Sequence, residues 1–231
     1  MSSESHGLVA HHFENLEQQR DANTLGMWLF LASEILFFGV LFTAYTTMRY
    51  RDPGAFALAS SKLDAVLGGV NTAILLTSSF TMALAVWAAQ MKRQDLLRLF
   101  LGLTIIFGGV FLAIKGYEWM AEAHHGLVPG AGFGHGHDGE VVKDKDGKTP
   151  LTEGRLAGLQ MAMVFYFVIT GLHALHMVVG IVLLGMHWWW AWRYPDFGVK
   201  DHTPIELGGL YWHFVDVVWI FVFPVLYLLR S

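Results

Sequence analysis

The stretch LFLASEILFFGVLF, residues 29–42, decides the fold class. It lies inside an apolar run from Leu25 to Met48, which is long enough to cross the roughly 30 Å hydrocarbon core of a bilayer as one helix. Glu34 stands near the middle of that run, where inserting an acidic residue costs about 2.5 to 3.5 kcal/mol. We therefore predict a membrane helix whose carboxyl group faces a neighbouring helix or a polar cleft.

The composition agrees with a polytopic membrane protein. Of the 231 residues, 54% are hydrophobic and only 15% are charged, whereas soluble domains carry about 25% charged residues. The net charge of −4 argues against a nucleic-acid partner. Because the chain has no cysteine, the sequence excludes disulfides, thiolate metal sites and cysteine nucleophiles.

Five apolar segments are long enough to span a membrane, and none shows the alternation of a strand. The fourth exceeds one span, so its end, HWWWAW, is either an interfacial aromatic belt or part of a long tilted helix. These features predict an all-α bundle of five transmembrane helices over residues 25–231, after a polar N-terminal segment, 1–24. The predicted spans are about 25–48, 65–89, 96–120, 156–192 and 207–229, with an extramembrane loop over 124–155.

The charges outside the spans leave the orientation open. Lysine and arginine are more numerous on the side opposite the N-terminus, whereas the dense Lys92–Arg93 turn favours a cytoplasmic N-terminus. The N-terminal segment lacks the pattern of a cleaved signal peptide, so we expect the first span to stay in the membrane.

Polar residues also occur in the last two spans. His213 and Asp216 are three residues apart on one face of the last span, where such a pair either clamps helices or relays protons. Tyr166, His173 and His176 share a face of the fourth span, which predicts hydrogen bonds between helices or contact with lipid headgroups. Haem ligation by His173 and His213 from two helices is the sharper alternative, since histidines on one helix cannot grip both sides of a porphyrin.

Two further groups of charged or polar residues are interpreted as structural or incidental. Lys115 and Glu118, with Glu122 four residues further on, read as a self-neutralising group near the membrane interface. His135 and His137 belong to a Gly-rich loop with nothing rigid behind it, which is weak evidence for a metal site. The sequence therefore predicts no catalytic residue and no metal site in this chain.

Three motifs, taken together, resemble subunit III of the haem–copper oxidases. LFLASEILFFGVLFTAY (29–45) is similar to the family's helix with an intramembrane carboxyl group, and TGLHALHMVVG (170–180) to its two-histidine helix, with Ala174 where glycine is usual. YWHFVDVVWIFVFPVLY (211–227) is very close to the family's last helix, and FLAIKGYEW (111–119) fits the helix between. The resemblance covers nearly the whole chain, which starts at the family's third helix, as the five-helix bacterial members do.

The resemblance implies a non-redox core subunit of a proton-pumping terminal oxidase, complex IV of an aerobic respiratory chain. It implies that haem and copper lie in subunit I and that subunits I and II are partners. It leaves open whether other respiratory complexes join them in a supercomplex. It also implies a V-shaped cleft filled with structural phospholipids, which helps oxygen access, proton uptake and complex stability. Glu34 takes the position of the family's intramembrane carboxyl group. The polar positions in the family's later helices are taken by His173, His176, His213 and Asp216.

The family's orientation places the N-terminus in the cytoplasm and the C-terminus outside, in a multi-pass protein of the bacterial plasma membrane. Cytochrome c is the favoured electron donor, because Glu34 of the Ser-Glu pair and the stretch YWHFVDVVW match the family closely. The alternative is a quinol as donor, in a quinol oxidase. Two remoter alternatives remain: a haem-binding membrane redox protein, and a proton carrier that uses Glu34 and Asp216.

Overall fold

Helices account for most of the protein in a computed structural model, which describes residues 16–130, 132–136, 141–144, 149, 151–198 and 200–229. Five helices of the described chain are long and apolar enough to cross a membrane, which confirms the predicted all-α, five-span architecture. The elements in chain order are α1 (Leu16–Arg51), α2 (Pro53–Lys62), α3 (Ala65–Gln90), α4 (Gln94–His124), α5 (Glu153–Arg193) and α6 (Thr203–Phe223), and a π-helical turn (Pro224–Leu228) ends α6.

Two of the spanning helices are much longer than a bilayer crossing requires. Helix α1 begins at Leu16, inside the segment predicted as a polar N-terminal extension. Helix α5 has 41 residues and continues through HWWWAW to Arg193. At 1.5 Å per residue it is about 60 Å long, roughly twice the thickness of the hydrocarbon core. The aromatic cluster is therefore the end of one long helix.

The short helix α2 is not among the predicted elements. Asp52 caps its N-terminus by accepting a hydrogen bond of 3.1 Å from the Ala55 amide, and Pro53 occupies the first turn. The helix packs closely on α5, because a Cβ added at Gly158 would lie 2.8 Å from the Ala55 Cβ. A search for spans of about 20 apolar residues passes over such a helix, although its Asp-Pro start signal is present.

The centre of the bundle is built around one tryptophan. The Trp212 ring lies between α4 and α5, where a Cβ added at Gly108 or at Gly180 would come within 2.7 or 2.9 Å of it. Its indole Nε1 donates a hydrogen bond of 3.1 Å to the Ser78 hydroxyl in α3. Two glycines thus make room for a large ring that ties α3, α4, α5 and α6 together.

Helix α1 lies at the edge of the bundle. Within its most apolar window only 11% of residues are buried, compared with 50% for the last span. Its buried aromatic and aliphatic contacts come from Leu31, Phe38 and Tyr45, which are spaced seven residues apart as in a coiled-coil seam. The remaining face of α1 is available to lipid or to another subunit.

The connection between α4 and α5 is partly folded back on the bundle. Leu127, Phe133 and Val142 are buried, and His135 pairs with Val141 through an antiparallel bridge. His137, the other loop histidine considered above, lies outside the described residues.

Candidate functional site

The carboxyl group in the middle of α1 has a partner on α5. Glu34 Oε2 lies 3.1 Å from His176 Nε2. The other ring nitrogen, Nδ1, lies 2.8 Å from the Leu172 carbonyl oxygen. Because a carbonyl oxygen can only accept, Nδ1 donates to Leu172, and Nε2 faces the carboxyl group. A polar partner on another helix lowers the cost of placing an acid in a membrane helix.

Two further contacts hold His176 in place. The Phe38 ring meets the imidazole edge-on, with 5.3 Å between centroids, and the Tyr211 hydroxyl donates a hydrogen bond of 3.0 Å to the His176 carbonyl oxygen. Helices α1, α5 and α6 therefore meet at His176.

His173 faces different neighbours from His176, although the two are only three residues apart. Its imidazole is buried, and its centroid lies 5.6 Å from that of Phe111 and 5.0 Å from that of Trp219. Neither ring nitrogen has a hydrogen-bond partner within the described residues. Although the two histidines are close together along α5, His176 contacts α1, whereas His173 contacts α4 and α6.

His213 and Asp216, for which a clamp between helices and a proton relay are the two interpretations given above, make different contacts. His213 Nδ1 lies 2.7 Å from the Ser79 hydroxyl oxygen, which joins α6 to α3. The Asp216 side chain is buried next to Ser79. The histidine bridges two helices, while the acid is enclosed between them.

Tyr166 belongs to a second polar group, which we call the Lys115 cluster: Lys115, Glu118, Tyr166 and Tyr227. The ammonium Nζ lies 3.1 Å from Glu118 Oε2 and 3.1 Å from the Tyr166 hydroxyl oxygen. The Tyr166 hydroxyl donates a 2.9 Å hydrogen bond to Glu118 Oε1, and Tyr227 contacts both charged groups. The ammonium also lies 5.2 Å from the Trp219 ring centroid, a cation–π distance.

The contacts of this cluster extend the interpretation of Lys115 and Glu118 as a self-neutralising group. The two side chains are only 2% and 4% exposed, and Glu122 is buried next to them. The spacing of Lys115 and Glu118 indicates that they share a face of α4. Tyr166 and Tyr227 come from other helices, and no local pattern in the sequence predicts their contact with Lys115. The same holds for Ser79, which the sequence marks only as a small residue suited to helix packing.

An apolar groove of about 470 Å³ separates α1 from α6. Leu31, Ile35 and Phe42 line it from α1, and Val217 and Phe221 from α6. Among the described residues that line it, His213 is the only titratable one. An apolar groove of this kind fits an acyl chain better than a polar substrate.

The titratable residues of the described chain do not assemble into a metal centre: no three His, Asp or Glu side chains converge closely enough to hold an ion. His176 and His213 each use a ring nitrogen on another helix, and His173 is enclosed by aromatic rings. The arrangement joins helices within the bundle.

Comparison with known proteins gives a consistent result. Residues 159–231 match the family described as Cytochrome c oxidase subunit III. Cytochrome c oxidase subunit 3 of Thermostichus vulcanus is 30% identical over 218 residues, which cover 94% of this chain and 92% of that protein. The protein of the same name from Synechocystis sp. is 32% identical over 209 residues, covering 90% and 76%. A probable quinol oxidase subunit 3 of Staphylococcus saprophyticus is 27% identical over 226 residues, covering 96% and 97%.

Proposed function

This chain belongs to the cytochrome c oxidase subunit III family, and from that premise we propose that it is a non-redox core subunit of a proton-pumping haem–copper terminal oxidase in a bacterial plasma membrane. It associates with subunits I and II, and subunit I holds the haem and copper. Its own work is to support oxygen access, proton uptake and the stability of the complex. The N-terminus lies in the cytoplasm and the C-terminus outside.

The Glu34–His176 contact is the observation that carries this proposal. Glu34 lies in the first span, near the middle of the apolar run, and its contact with His176 connects the peripheral helix α1 to the bundle. Because the acid is paired with an imidazole of another helix, the contact is suited to hold a helix within a bilayer rather than to bind a charged substrate. The adjacent apolar groove supports binding of a structural phospholipid in the cleft that the family resemblance implies.

The histidine contacts support a subunit that holds no haem. A bis-histidine haem needs two imidazoles free to approach iron from opposite sides. His213 is bonded to Ser79, and His173 is packed against Phe111 and Trp219. In this proposal the catalytic chemistry belongs to a partner, and the half-buried Glu34 and the buried Asp216 serve the helix bundle rather than a transport pathway of their own.

Affinity purification of the tagged chain from its native membranes tests the assembly. We expect haem-bearing polypeptides to co-purify, and we expect Glu34→Ala to leave the haem bands of the purified complex unchanged in position. A large shift of those bands would place the subunit closer to the redox centres than proposed. A Soret band in the lone chain would support the haem-protein alternative, and proton flux into proteoliposomes that Glu34→Gln abolishes would support the carrier alternative.

We propose cytochrome c as the electron donor, with a quinol as the second candidate. The relatives named for cytochrome c oxidase are 30% and 32% identical to this chain, compared with 27% for a quinol oxidase relative. Oxygen uptake by the purified complex with reduced cytochrome c or with a reduced quinol decides between them. Turnover with quinol alone would overturn the preference. Co-purification of other respiratory complexes in mild detergent would show the supercomplex.

A further inference from the structure

A second groove, of about 390 Å³, lies between the start of α4 and the end of α5. Its residues are separate from those of the α1–α6 groove. A charged mouth formed by Arg98 and Asp95 leads into an apolar channel along α4, with Trp188 and Trp192 on the α5 side. Tryptophan at such a position is typical of the membrane–water interface, so the mouth lies at the level of lipid headgroups.

The guanidinium group at the mouth is held in a fixed position. Arg98 Nε donates a hydrogen bond of 2.9 Å to the Ala191 carbonyl oxygen. The group also lies 4.8 Å from the Trp192 ring centroid, stacked on the aromatic surface. Trp188 Nε1 donates a 3.0 Å hydrogen bond to the Arg98 carbonyl oxygen, which ties the same turn of α4 to α5. Since a guanidinium has five N–H donors, these contacts leave donors for an oxyanion.

The negative charge next to Arg98 points outward. Asp95 Oδ1 is 3.6 Å from Arg98 Nη1, but its side chain is 99% exposed, so the ion pair contributes little. The mouth thus presents a positive group held against the protein and an exposed negative group next to it. A headgroup that carries a phosphate and then an ammonium matches this order of charges.

The channel below the mouth continues into the apolar part of the membrane. Leu99, Leu103 and Ile106 line it, and Ile106 lies eight residues beyond Arg98, about 12 Å along the helix axis. Gly102 lets α5 approach, because a Cβ there would lie 3.3 Å from Trp188 Nε1. The channel therefore follows the path of an acyl chain within one leaflet of about 15 Å.

We propose that this groove binds a zwitterionic aminophospholipid of the phosphatidylethanolamine type. Arg98 binds the phosphate, Asp95 binds the ammonium, and an acyl chain lies along Leu99, Leu103 and Ile106 against Trp188. A phosphatidylglycerol headgroup satisfies Arg98 equally but has no cation for Asp95. The site uses only residues of this chain, so it does not depend on the identity of the oxidase partners.

Lipid binding to the purified complex that contains this chain tests the apolar channel. The complex is delipidated, exchanged with equal amounts of dioleoyl phosphatidylethanolamine and dioleoyl phosphatidylglycerol, and analysed by native mass spectrometry. Ile106→Trp fills the channel and should remove about one phosphatidylethanolamine per chain. Leu76→Trp, at a residue of α3 that is 51% exposed and outside the groove, is the matched control and should retain that lipid. Equal lipid retention in the two variants would overturn the proposal.

The headgroup preference tests the two charges separately. The wild type should prefer phosphatidylethanolamine over phosphatidylglycerol by about two- to fivefold, the ratio that an exposed ion pair provides. Asp95→Asn should bring that ratio close to parity, because only the contact to the ammonium is lost. An unchanged ratio would show that Asp95 does not bind the headgroup. A photo-crosslinker at position 99 that captures another subunit instead of lipid would show that protein covers the groove.

Discussion

Helix α1 and the α3–α6 core each place a charged or ionisable side chain inside the membrane, and they do so in different ways. Glu34 meets one polar partner at the edge of the bundle, and the carboxyl and imidazole side chains remain 19% and 17% exposed. Lys115 is bonded to Glu118, Tyr166 and Tyr227, and its side chain is 2% exposed. A single contact can open by a movement of α1, whereas the cluster cannot open without separating packed helices. The difference predicts unequal effects of substitution.

The largest effect is expected from Lys115→Met. Removing the ammonium leaves the buried Glu118 carboxylate without its cation, which costs about 3 to 5 kcal/mol. We expect the variant to accumulate poorly in membranes and to unfold at a much lower temperature, as measured by thermal denaturation of the purified protein.

A double variant, Lys115→Met with Glu118→Gln, separates the charge from the packing. Because neither charge remains, this variant should recover part of the lost stability. A double variant less stable than Lys115→Met would show that the charges of the cluster are not what holds it together.

Overpacking around Trp212 should produce the next largest effect. Gly108→Val places new atoms within 2.7 Å of the Trp212 ring, and it should destabilise the bundle by about 1 to 3 kcal/mol. Gly109→Val is the matched control, because a Cβ at Gly109 meets nothing within 4 Å. Thermal denaturation of the two variants gives the comparison, and equal melting temperatures would contradict the close approach of α4 to α6.

Breaking the contact of α1 should have a smaller and more local effect. Glu34→Ala removes one hydrogen bond at the edge of the bundle, for a loss of roughly 1 kcal/mol. Glu34→Gln keeps a hydrogen-bonding side chain and should lose less. Since the chain has no cysteine, a disulfide between cysteines introduced into α1 and α5 measures their separation directly. A cross-linking rate unaffected by Glu34→Ala would show that the pair does not hold α1.

The smallest effect concerns the start of α1, outside the membrane. Arg20 Nη2 lies 3.0 Å from Asp201 Oδ1, and Thr203 Oγ1 donates a 2.7 Å hydrogen bond to the same oxygen. Partial burial raises the pKa of Asp201, but the Thr203 hydrogen bonds and the Arg20 charge outweigh it, so the pKa lies below its usual 3.8.

A lowered carboxyl pKa stabilises the folded state above pH 3.8, and the contribution is lost as the pH falls through the still lower folded value. Asp201→Asn should therefore increase hydrogen exchange at the start of α1 slightly, and equally at all values between about pH 5 and pH 8. An effect that changes strongly within that range would show that another group controls this contact.

Local patterns in the sequence predict the helices well, but they do not predict which side chains of other helices each polar residue contacts. The apolar run around Glu34 predicts a spanning helix because its length matches the bilayer, and the cost of a buried acid predicts that Glu34 has a partner. His176 as that partner does not follow from spacing, since the two residues are 142 positions apart. His213 and Asp216 share a face of α6, as their spacing predicts, but the side chain that bonds to His213 is Ser79 of α3.

By itself, the sequence determined that this protein is a bundle of five membrane helices, that its first span carries an acid, and which family it resembles. Hydrophobic length and the cost of exposed backbone in lipid set those features, and both act locally along the chain. Only the tertiary structure decided that Glu34 meets His176, that the Lys115 cluster is enclosed, and that Arg98 lies on Trp192. Those contacts depend on how helices pack side by side, and close packing joins residues that no periodicity within one helix relates.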